Sequence, residues 1–440
     1  MFRKIAVSLI TMTMLFRAPV MPESGIEGMV NEFSSKTRCN EVSVVVYDHG
    51  DISYYGDSKG LYQIGSMTKS FTGLSVQKLI SEGVLSADDK VSDLIPGYKA
   101  YYDSEEAEIT VDDLLKQRSG YTNSETDYPS ATEDMSLQDW AEFISGKELK
   151  SKPGTEYAYS NVNYNLLGVI IENKTGISYR EYMEETILMH YGLDSTSAGV
   201  PDEKDRIVEG SRLGFRTVFE YEVPVRIGSV PAGYFYSDTE DIGKWLKAWI
   251  EDADPDMDLI LAELKNEGDY YAGWERIEGD VIGHSGGTPN YSSRIVFSRS
   301  KGIGVCVLTN LNVASSTDSL CNNIFKELSG ISNDGLACDV WTVFDIIFTS
   351  VSAFGVLLLI FVLCIRKKGI LIATGIVLMI AEVLIMLLFP MIFGAGIKAI
   401  AMTWAPWSFL SGTVLLAVDI VSIVIKLFVV KVNEGRAKTG

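Results

Sequence analysis

Three short motifs in this sequence carry side chains that could together perform acyl-transfer chemistry. In the first, Gly65-Ser66-Met67-Thr68-Lys69, a serine and a lysine stand three positions apart at the start of a predicted helix. Residues with this spacing share one helix face, so the amine can reach the hydroxyl. A lysine whose pKa is lowered by burial can then deprotonate the serine. Alone, the pattern fits a solvated lysine on an exposed helix better.

The second and third motifs supply other groups that acyl transfer needs. Tyr159-Ser160-Asn161 offers a phenol that can relay a proton and an amide that can orient a substrate carbonyl. His284-Ser285-Gly286-Gly287 lies in a predicted strand, whose backbone N–H groups could bind an oxyanion. Taken singly, the second motif fits a core tyrosine beside a turn asparagine, and the third fits a glycine-rich strand end.

The third motif also contains a misleading pattern. Gly283–Gly287 matches G-x-S-x-G, which marks the nucleophile turn of α/β-hydrolases. That fold requires a histidine after the serine, and no histidine follows His284 in this chain. The sequence therefore argues against an α/β-hydrolase with Ser285 as its nucleophile.

In this order, the three motifs resemble those of the serine β-lactamase and penicillin-binding superfamily, in particular its class C-like branch. The similarity covers most of residues 40–310. It implies an α/β protein with the β-lactamase/transpeptidase-like fold and no metal or other cofactor. It also implies individual roles: Ser66 as nucleophile, Lys69 as its base, Tyr159 as acid and base, Asn161 as a substrate-binding residue, and the N–H groups of Ser66 and Gly287 as the oxyanion hole.

Two positions depart from the pattern of this superfamily. His284 stands where many members have a lysine, whose fixed positive charge helps to hold the carboxylate of penicillins and of D-Ala-D-Ala termini. This change argues against β-lactamase or carboxypeptidase activity. Gln117 stands where many relatives have a histidine, with no consequence evident from the sequence.

Hydrophobic patterning predicts the elements that must position these motifs. Strands are predicted near both ends of residues 23–338 and helices between them, and we expect this range to form the hydrolase domain. The arrangement predicts a sheet built from both termini with an inserted helical lobe. The predicted strands are 41–47, 52–56, 281–285, 293–299 and 302–309; the predicted helices begin at 66 and recur at 110–117, 136–146, 162–174, 238–250 and 312–329.

Residues 341–440 have the composition of a membrane domain. Apolar runs at about 346–365, 369–394 and 405–430 are each long enough to cross a hydrocarbon core of about 30 Å. Basic residues follow the first run and the third. The positive-inside rule then predicts a multi-pass protein of the cell membrane with its hydrolase domain outside and its C-terminus in the cytoplasm. These basic residues are Arg366, Lys367, Lys368, Lys431, Arg436 and Lys438.

The N-terminus and the charge agree with an exported, acidic domain. Residues 1–22 hold the basic pair Arg3-Lys4 and the apolar run Ile5–Phe16, which fit a signal peptide or a short retained anchor. The chain has a net charge of −20, and residues 1–340 alone carry −24. Because this acidic body repels phosphate backbones, we expect no nucleic-acid partner.

With its membrane tail, the chain resembles the prodrug-activating peptidases of nonribosomal peptide pathways, a group that includes the colibactin-maturing peptidase. This resemblance implies removal of an N-acylated amino-acid cap from an exported peptide precursor. It also implies that Asn290 and the residue at Gln63 contact the substrate. Gln63 replaces an acidic residue, and Asn161 replaces a serine, so specificity for D-asparagine does not follow.

We therefore expect a membrane-anchored extracytoplasmic serine peptidase or amidase that acts through an acyl-serine. Its partners would be a peptide or N-acyl-amide substrate, with an exporter or a second copy of the chain as further candidates. The alternatives are an esterase, a D,D-peptidase or a β-lactamase acting on cell-wall-like substrates. A penicillin-binding sensor is disfavoured because only about ten residues follow Val430.

Two acidic residues interrupt the apolar runs. Glu382 and Asp419 lie near the middle of the second and third runs. A carboxylate facing lipid at that depth is costly. We predict that both face the interior of the helix bundle, where they either hydrogen-bond neighbouring helices or contact a partner.

Overall fold

The computed structural model describes residues 25–252, 254–266, 268–365 and 367–439, with side chains up to residue 430. Among these residues the chain forms two compact units. The large unit consists of residues 25–211 and 220–339, and the small unit of residues 212–219 and 340–439. The predicted segment at residues 1–22, Arg366 and the side chains of the basic residues after 430 lie outside the described part.

The strands of the large unit form one main sheet and smaller ladders. The main sheet has the order β10-β11-β12-β13-β14-β1-β2, and each of its neighbouring pairs is antiparallel. In the described part of the chain the strands are β1 (Val42–Asp48), β2 (Asp51–Tyr55), β3 (Tyr62–Gln63), β4 (Ala100–Tyr102), β5 (Glu105–Ala107), β6 (Ser197–Ala198), β7 (Ser211–Gly214), β8 (Thr217–Glu220), β9 (Phe235–Ser237), β10 (Tyr270–Tyr271), β11 (Trp274–Glu278), β12 (Val281–Gly287), β13 (Ser292–Ser298) and β14 (Ile303–Thr309).

Pairing of β1 with β14 joins the N-terminal strands of the main sheet to its C-terminal strands. Val42 of β1 lies opposite Thr309 of β14, and the register continues to Asp48 opposite Ile303. Both strands are almost entirely buried, as their continuous apolar sequences require. The predicted sheet built from both termini, and with it the fold class, is confirmed.

Most helices of the large unit lie between β2 and β10 in sequence and form the inserted lobe. The α-helices among the described residues are α1 (Ile26–Thr37), α2 (Thr68–Ser81), α3 (Val91–Leu94), α4 (Val111–Leu115), α5 (Leu137–Ile144), α6 (Asn161–Thr175), α7 (Tyr179–Tyr182), α8 (Val230–Gly233), α9 (Thr239–Glu251), α10 (Pro255–Asn266), α11 (Ala314–Leu328), α12 (Val340–Cys364), α13 (Lys368–Phe393), α14 (Ile397–Ala399) and α15 (Trp407–Thr439).

The central helix α2 is buried on nearly all sides, which explains its lack of a clear polar face. Its serine and threonine hydroxyls therefore need partners inside the protein. Thr72 hydrogen-bonds Pro231 O and the hydroxyl of Tyr179, both at 2.7 Å. Ser75 donates to the carbonyl of Phe71 one turn earlier. A helix satisfied in this way can hold a reactive group in a fixed position.

The small unit contains the apolar helices of the tail. Within the described residues, three helices are long and apolar enough to cross a membrane: Val340–Cys364, Lys368–Phe393 and the Trp407–Val430 part of α15. They agree with the three predicted runs, and the first begins six residues earlier than expected. No sequence pattern indicated that residues 212–219, which form most of the β7–β8 hairpin, belong to this unit.

The two acidic residues that interrupt the predicted apolar runs differ in burial. Asp419 is fully buried beside Gly355 of α12, and neither of its carboxylate oxygens has a hydrogen-bond partner among the described residues. Glu382 is only partly buried, and its Oε2 has no hydrogen-bond partner among the described residues. Lys426 donates to the carbonyls of Val362 and Leu363, both at 2.6 Å. The structure thus places Asp419 inside the bundle and Glu382 at its margin.

Close approach of α2 to the loop before β11 gives a test of the packing. A Cβ added to Gly73 would lie 2.1 Å from the carbonyl oxygen of Ala272, a backbone atom that cannot swing away. We expect Gly73→Ala to destabilise the protein by about 1–3 kcal/mol, the usual cost of overpacking. Thermal unfolding of the full chain in detergent would measure it. Gly268→Ala is the control, because a Cβ there would only make an ordinary van der Waals contact, with the backbone nitrogen of Tyr270 at 4.0 Å. Equal stability of the two variants would contradict the packing.

Candidate active site

Ser66 lies in a single 3-10 turn, Gly65–Met67, that leads directly into α2. Its side chain is partly exposed, whereas its neighbours on both sides are buried. Gly65 has a φ of +51°, and a Cβ on it would lie 2.4 Å from the backbone nitrogen of Gly287. Only glycine allows this approach. The backbone at Ser66 is therefore pressed against the end of β12.

Lys69 is completely buried and hydrogen-bonds three oxygen atoms. Its Nζ lies 2.9 Å from Ser66 Oγ, 2.7 Å from Asn161 Oδ1 and 2.6 Å from the carbonyl oxygen of Ala232. Burial lowers the pKa of Lys69 well below its ordinary value, because the ammonium loses its hydration. A neutral amine has two hydrogens, which the oxygens of Asn161 and Ala232 can accept. Its lone pair then faces the Ser66 hydroxyl.

Tyr159 completes the group around Ser66. Its phenol hydrogen-bonds Ser66, and the Nζ of Lys69 lies 4.9 Å from the centre of its ring. Burial raises the pKa of Tyr159 far above its ordinary value, so the side chain stays a neutral phenol near neutral pH. A phenol in this state can pass a proton on but cannot hold a permanent negative charge.

Gln117 holds the second motif in place, a role that the sequence did not reveal. The residue is buried and has a φ of +57°. Its Oε1 accepts from the backbone N–H of Ser160 at 2.9 Å and from Asn163 Nδ2 at 2.5 Å. Ser160 in turn caps α6, with its Oγ accepting from Val162 N at 3.2 Å. Gln117 thus fixes the start of α6, and with it the residues on either side of Ser160.

His284 is buried and neutral. Its Nδ1 lies 2.6 Å from the carbonyl oxygen of Ser285, which can only accept, so Nδ1 carries the proton. Its Nε2 lies 3.4 Å from the hydroxyl of Tyr270 and can accept from it. Burial lowers the pKa of His284 to about 3, because the charged imidazolium would lose its hydration. The position that carries a lysine in many relatives therefore carries no charge here.

The other face of β12 holds a network of buried charges. Ser285 Oγ donates to the carboxylate of Asp318 at 2.9 Å and accepts from Arg294 Nη1 at 2.8 Å. These bonds commit the Ser285 hydroxyl to a structural role, in agreement with the sequence argument against it as nucleophile. Arg294 and Asp318 come from β13 and α11, so no local motif could have indicated them.

The two further residues predicted to contact substrate have different surroundings. Gln63 is buried; its Nε2 donates to the hydroxyl of Tyr236 at 2.8 Å, while its Oε1 has no partner among the described residues. Asn290 is also buried, but its Nδ2 donates to Tyr221 O at 2.9 Å and its Oδ1 accepts from Thr288 Oγ1 at 3.1 Å. The amide of Asn290 is therefore occupied by the protein itself, whereas Gln63 keeps an acceptor free.

The structure brings together Ser66, Lys69, Tyr159 and Asn161 and sets Gly287 against the residue before Ser66. Ala232 joins them through its carbonyl oxygen, a backbone role that no side-chain motif can show. Within the described residues, no three His, Cys, Asp or Glu side chains are grouped so that they could hold a metal ion.

The neutrality of His284 gives a prediction for stability against pH. The pKa of about 3 in the folded chain lies below the ordinary value of 6.5, so the unfolded chain binds the extra proton as the pH falls below 6.5. Folding stability is therefore lost in this range, by about 2 kcal/mol at pH 5. Urea unfolding at pH 7.5 and pH 5 should show this loss in the wild type and a smaller one in His284→Gln. Equal losses would contradict the prediction.

The role of Gln117 predicts an effect on the neighbouring motif. Gln117→Leu removes the acceptor for the buried N–H of Ser160, at a cost of about 1–3 kcal/mol. We also expect acylation of Ser66 to slow by roughly tenfold or more, because Tyr159 and Asn161 lose their fixed position. Gln117→His, which restores a ring nitrogen as acceptor, is the control and should recover part of the rate. Unchanged acylation in Gln117→Leu would show that the motif is held by other contacts.

Comparison with known proteins agrees with this geometry. A family model described as Beta-lactamase matches residues 26–322. Protein flp of Staphylococcus aureus (strain MRSA252) is 34% identical over 263 residues, which are 57% of this chain and 53% of that protein. The chain thus spans about half the length of the curated relatives it matches.

Solved structures show the same fold. The octameric penicillin-binding protein homologue from Pyrococcus abyssi superposes with a TM-score of 0.62 at 25% identity, covering 71% of this chain and 78% of that one. A class C β-lactamase superposes with a TM-score of 0.58 at 18% identity, covering 69% of this chain and 94% of that one, a likeness of fold alone. The chain belongs to the Beta-lactamase family of serine hydrolases and has the β-lactamase/transpeptidase-like fold.

Proposed function

We propose that this chain is a membrane-anchored extracytoplasmic serine peptidase or amidase that acts through an acyl-enzyme on Ser66. The observation that carries this proposal is the Lys69 amine, which is fully buried and lies 2.9 Å from Ser66 Oγ. Its lowered pKa suits a base, because a neutral amine has a lone pair to take the serine proton.

Acylation follows from these positions. Lys69 takes the proton of Ser66 while Oγ attacks the substrate carbonyl, and a bond forms between Oγ and the carbonyl carbon. The N–H groups of Ser66 and Gly287 bind the oxyanion, since the close approach at Gly65 sets the two backbones side by side. The proton then passes through the Tyr159 phenol to the leaving nitrogen, and the carbon–nitrogen bond breaks.

Deacylation uses the same groups in reverse order. A water molecule attacks the acyl-serine carbonyl and gives up its proton to the Tyr159–Lys69 pair. The proton returns to Ser66 Oγ as the carbon–oxygen bond breaks and the acid is released. The high pKa of Tyr159 means that its proton must be replaced in the same step in which it leaves.

The chemistry of the site favours a neutral acylated substrate. His284 provides no positive charge at the position where many relatives bind a carboxylate. The free Oε1 of buried Gln63 would accept a hydrogen bond from a substrate N–H. Both features suit an N-acyl amino-acid amide, with an amide side chain as one donor for Gln63. This supports removal of an N-acyl cap from an exported peptide precursor.

The apolar helices support membrane association. The extracytoplasmic side for the large unit is part of our proposal, based on the basic residues that follow the first and third runs. An exporter of the precursor or a second copy of the chain would then be the partner within the membrane. D,D-peptidase activity is the second candidate, favoured by the similarity to a penicillin-binding protein homologue.

The proposed nucleophile can be tested by covalent labelling. A fluorophosphonate probe should modify Ser66 of the full-length protein, and mass spectrometry would locate the adduct. Ser66→Ala should abolish labelling, and Lys69→Ala and Tyr159→Phe should each slow it by roughly 10²–10⁴-fold, the usual contribution of a positioned acid or base. Ser81→Ala, at the other end of α2, is the control. Labelling of another serine, or full labelling of Ser66→Ala, would refute the assignment.

The proposed substrate class can be tested by comparing the turnover of amide and β-lactam substrates. We expect turnover of acyl-D-Asn and acyl-D-Gln amides and little hydrolysis of the β-lactam nitrocefin, because the site has no lysine at position 284. His284→Lys should shift this preference towards nitrocefin. Gln63→Leu, which removes the free acceptor, should raise KM for the amides more than it lowers kcat. Rapid nitrocefin hydrolysis with no amide cleavage would contradict the proposed substrate class and favour a β-lactamase instead.

A further inference from the structure

The β7–β8 hairpin of the small unit has an unusual tip. Its two turn residues, Phe215 and Arg216, have φ values of +52° and +65°. Such turns normally carry Asn-Gly, because a bulky side chain is disfavoured in this conformation. Phe215 is nevertheless 43% exposed, and Phe219, four residues later, is 42% exposed. A strained turn that presents aromatic side chains outward needs a reason other than packing within the chain.

The segment between the second and third apolar helices holds this hairpin in place. Arg212 is buried and donates to three backbone carbonyls between the second and third apolar helices, those of Ala401 (2.6 Å), Met402 (2.8 Å) and Ala405 (2.6 Å). Its guanidinium carbon lies 4.0 Å from the centre of the Trp407 ring. A Cβ on Gly214 would lie 2.8 Å from Cβ of the same tryptophan.

A buried carboxylate fixes the turn itself. Asp345 of α12 accepts from the backbone N–H of Arg216 at 2.8 Å and from Ser408 Oγ at 2.7 Å. The turn is therefore tied to the beginnings of both α12 and α15. The guanidinium of Arg216 makes no hydrogen bond or ion pair within the described residues, so its charge is available to a group outside the chain.

This end of the helices has the composition of a membrane–water interface. Trp341, Trp404 and Trp407 lie at or just before the starts of α12 and α15, and Trp341 stacks on Phe393 at the end of α13 with ring centres 4.8 Å apart. Tryptophan is enriched at the headgroup level of membranes because its ring is apolar and its N–H is polar. The hairpin tip belongs to this end by its contacts with Asp345 and Trp407.

We propose that residues 212–219 form an interfacial membrane anchor. Phe215 and Phe219 insert among the headgroups and upper acyl chains of the leaflet at this end of the helices, and the Arg216 guanidinium binds a lipid phosphate. The tight bonds of Arg212 and Asp345 set the depth of the tip. Insertion of the exposed aromatic rings into lipid also explains why the sequence keeps a phenylalanine in a turn that disfavours it.

Nitroxide labels can measure the depth of the tip in the full-length protein. One cysteine is introduced at a time at position 215, 219, 277 or 357 and labelled, after Cys338→Ser and Cys364→Ser remove the exposed native thiols; the three other native cysteines are buried. Ile277 of the large unit, 44% exposed, is the water-facing control, and Leu357 of α12, 66% exposed, is the lipid-facing one. In vesicles of phosphatidylethanolamine and phosphatidylglycerol, collisions with oxygen relative to those with nickel–EDDA should be severalfold higher at 215 and 219 than at 277, and lower than at 357.

A second measurement uses the unmodified sequence. A phospholipid with a photoreactive headgroup should cross-link to the peptide that contains residues 212–219 and not to the peptide from α10. Labels at 215 and 219 that behave as the one at 277 does, without cross-links, would overturn the proposal. Labels shielded from both reagents would also overturn it, and would show instead that a protein partner or a second copy covers the tip.

Discussion

Burial of the Lys69 amine is the constraint on which the site depends. An ammonium in this position would lose its hydration and would form no hydrogen bond to a carboxylate, and the attraction of Glu275 offsets this loss only in part, so the neutral form is favoured. Water is kept away from the Lys69 amine only if the backbone of a neighbouring segment packs directly against α2. Gly273 serves this purpose, since a Cβ on it would lie 2.2 Å from the carbonyl carbon of Lys69. The tight contact between α2 and the turn before β11 is thus a condition for the chemistry as well as for packing.

The protonation states of the neighbouring side chains also keep this region uncharged. His284 stays neutral mainly because burial disfavours its charged form, and the charge of Arg294 adds to this effect. Tyr159 stays protonated because its surroundings cannot stabilise a phenolate. Each group can therefore pass a proton without leaving a lasting charge behind. A negative charge develops in the site only during the reaction, when the oxyanion forms beside backbone N–H groups.

Much of the fold and of the candidate site could be predicted from the sequence, for identifiable reasons. Ser66 and Lys69 are close because helical spacing fixes their distance, and Tyr159 and Gly287 occur in motifs whose order is informative. Other contributions arise from contacts between distant segments. Gln117 acts through its acceptor atom and an unusual φ, and neither has a local sequence pattern. The placement of residues 212–219 with the apolar helices was missed because a short polar-flanked hairpin has no membrane signature.

The charges near β12 also limit which substrates the proposed enzyme can take. Arg294 is the strongest candidate to replace the missing lysine, but it is buried and bonded to Ser285, with Asp318 on the same hydroxyl. Its charge is therefore balanced within the protein and does not reach a ligand. The chain as a whole carries −20, so an anionic substrate would meet repulsion with no compensating cation in the site. A substrate with its charged ends masked, by an acyl group on one side and an amide on the other, avoids that cost.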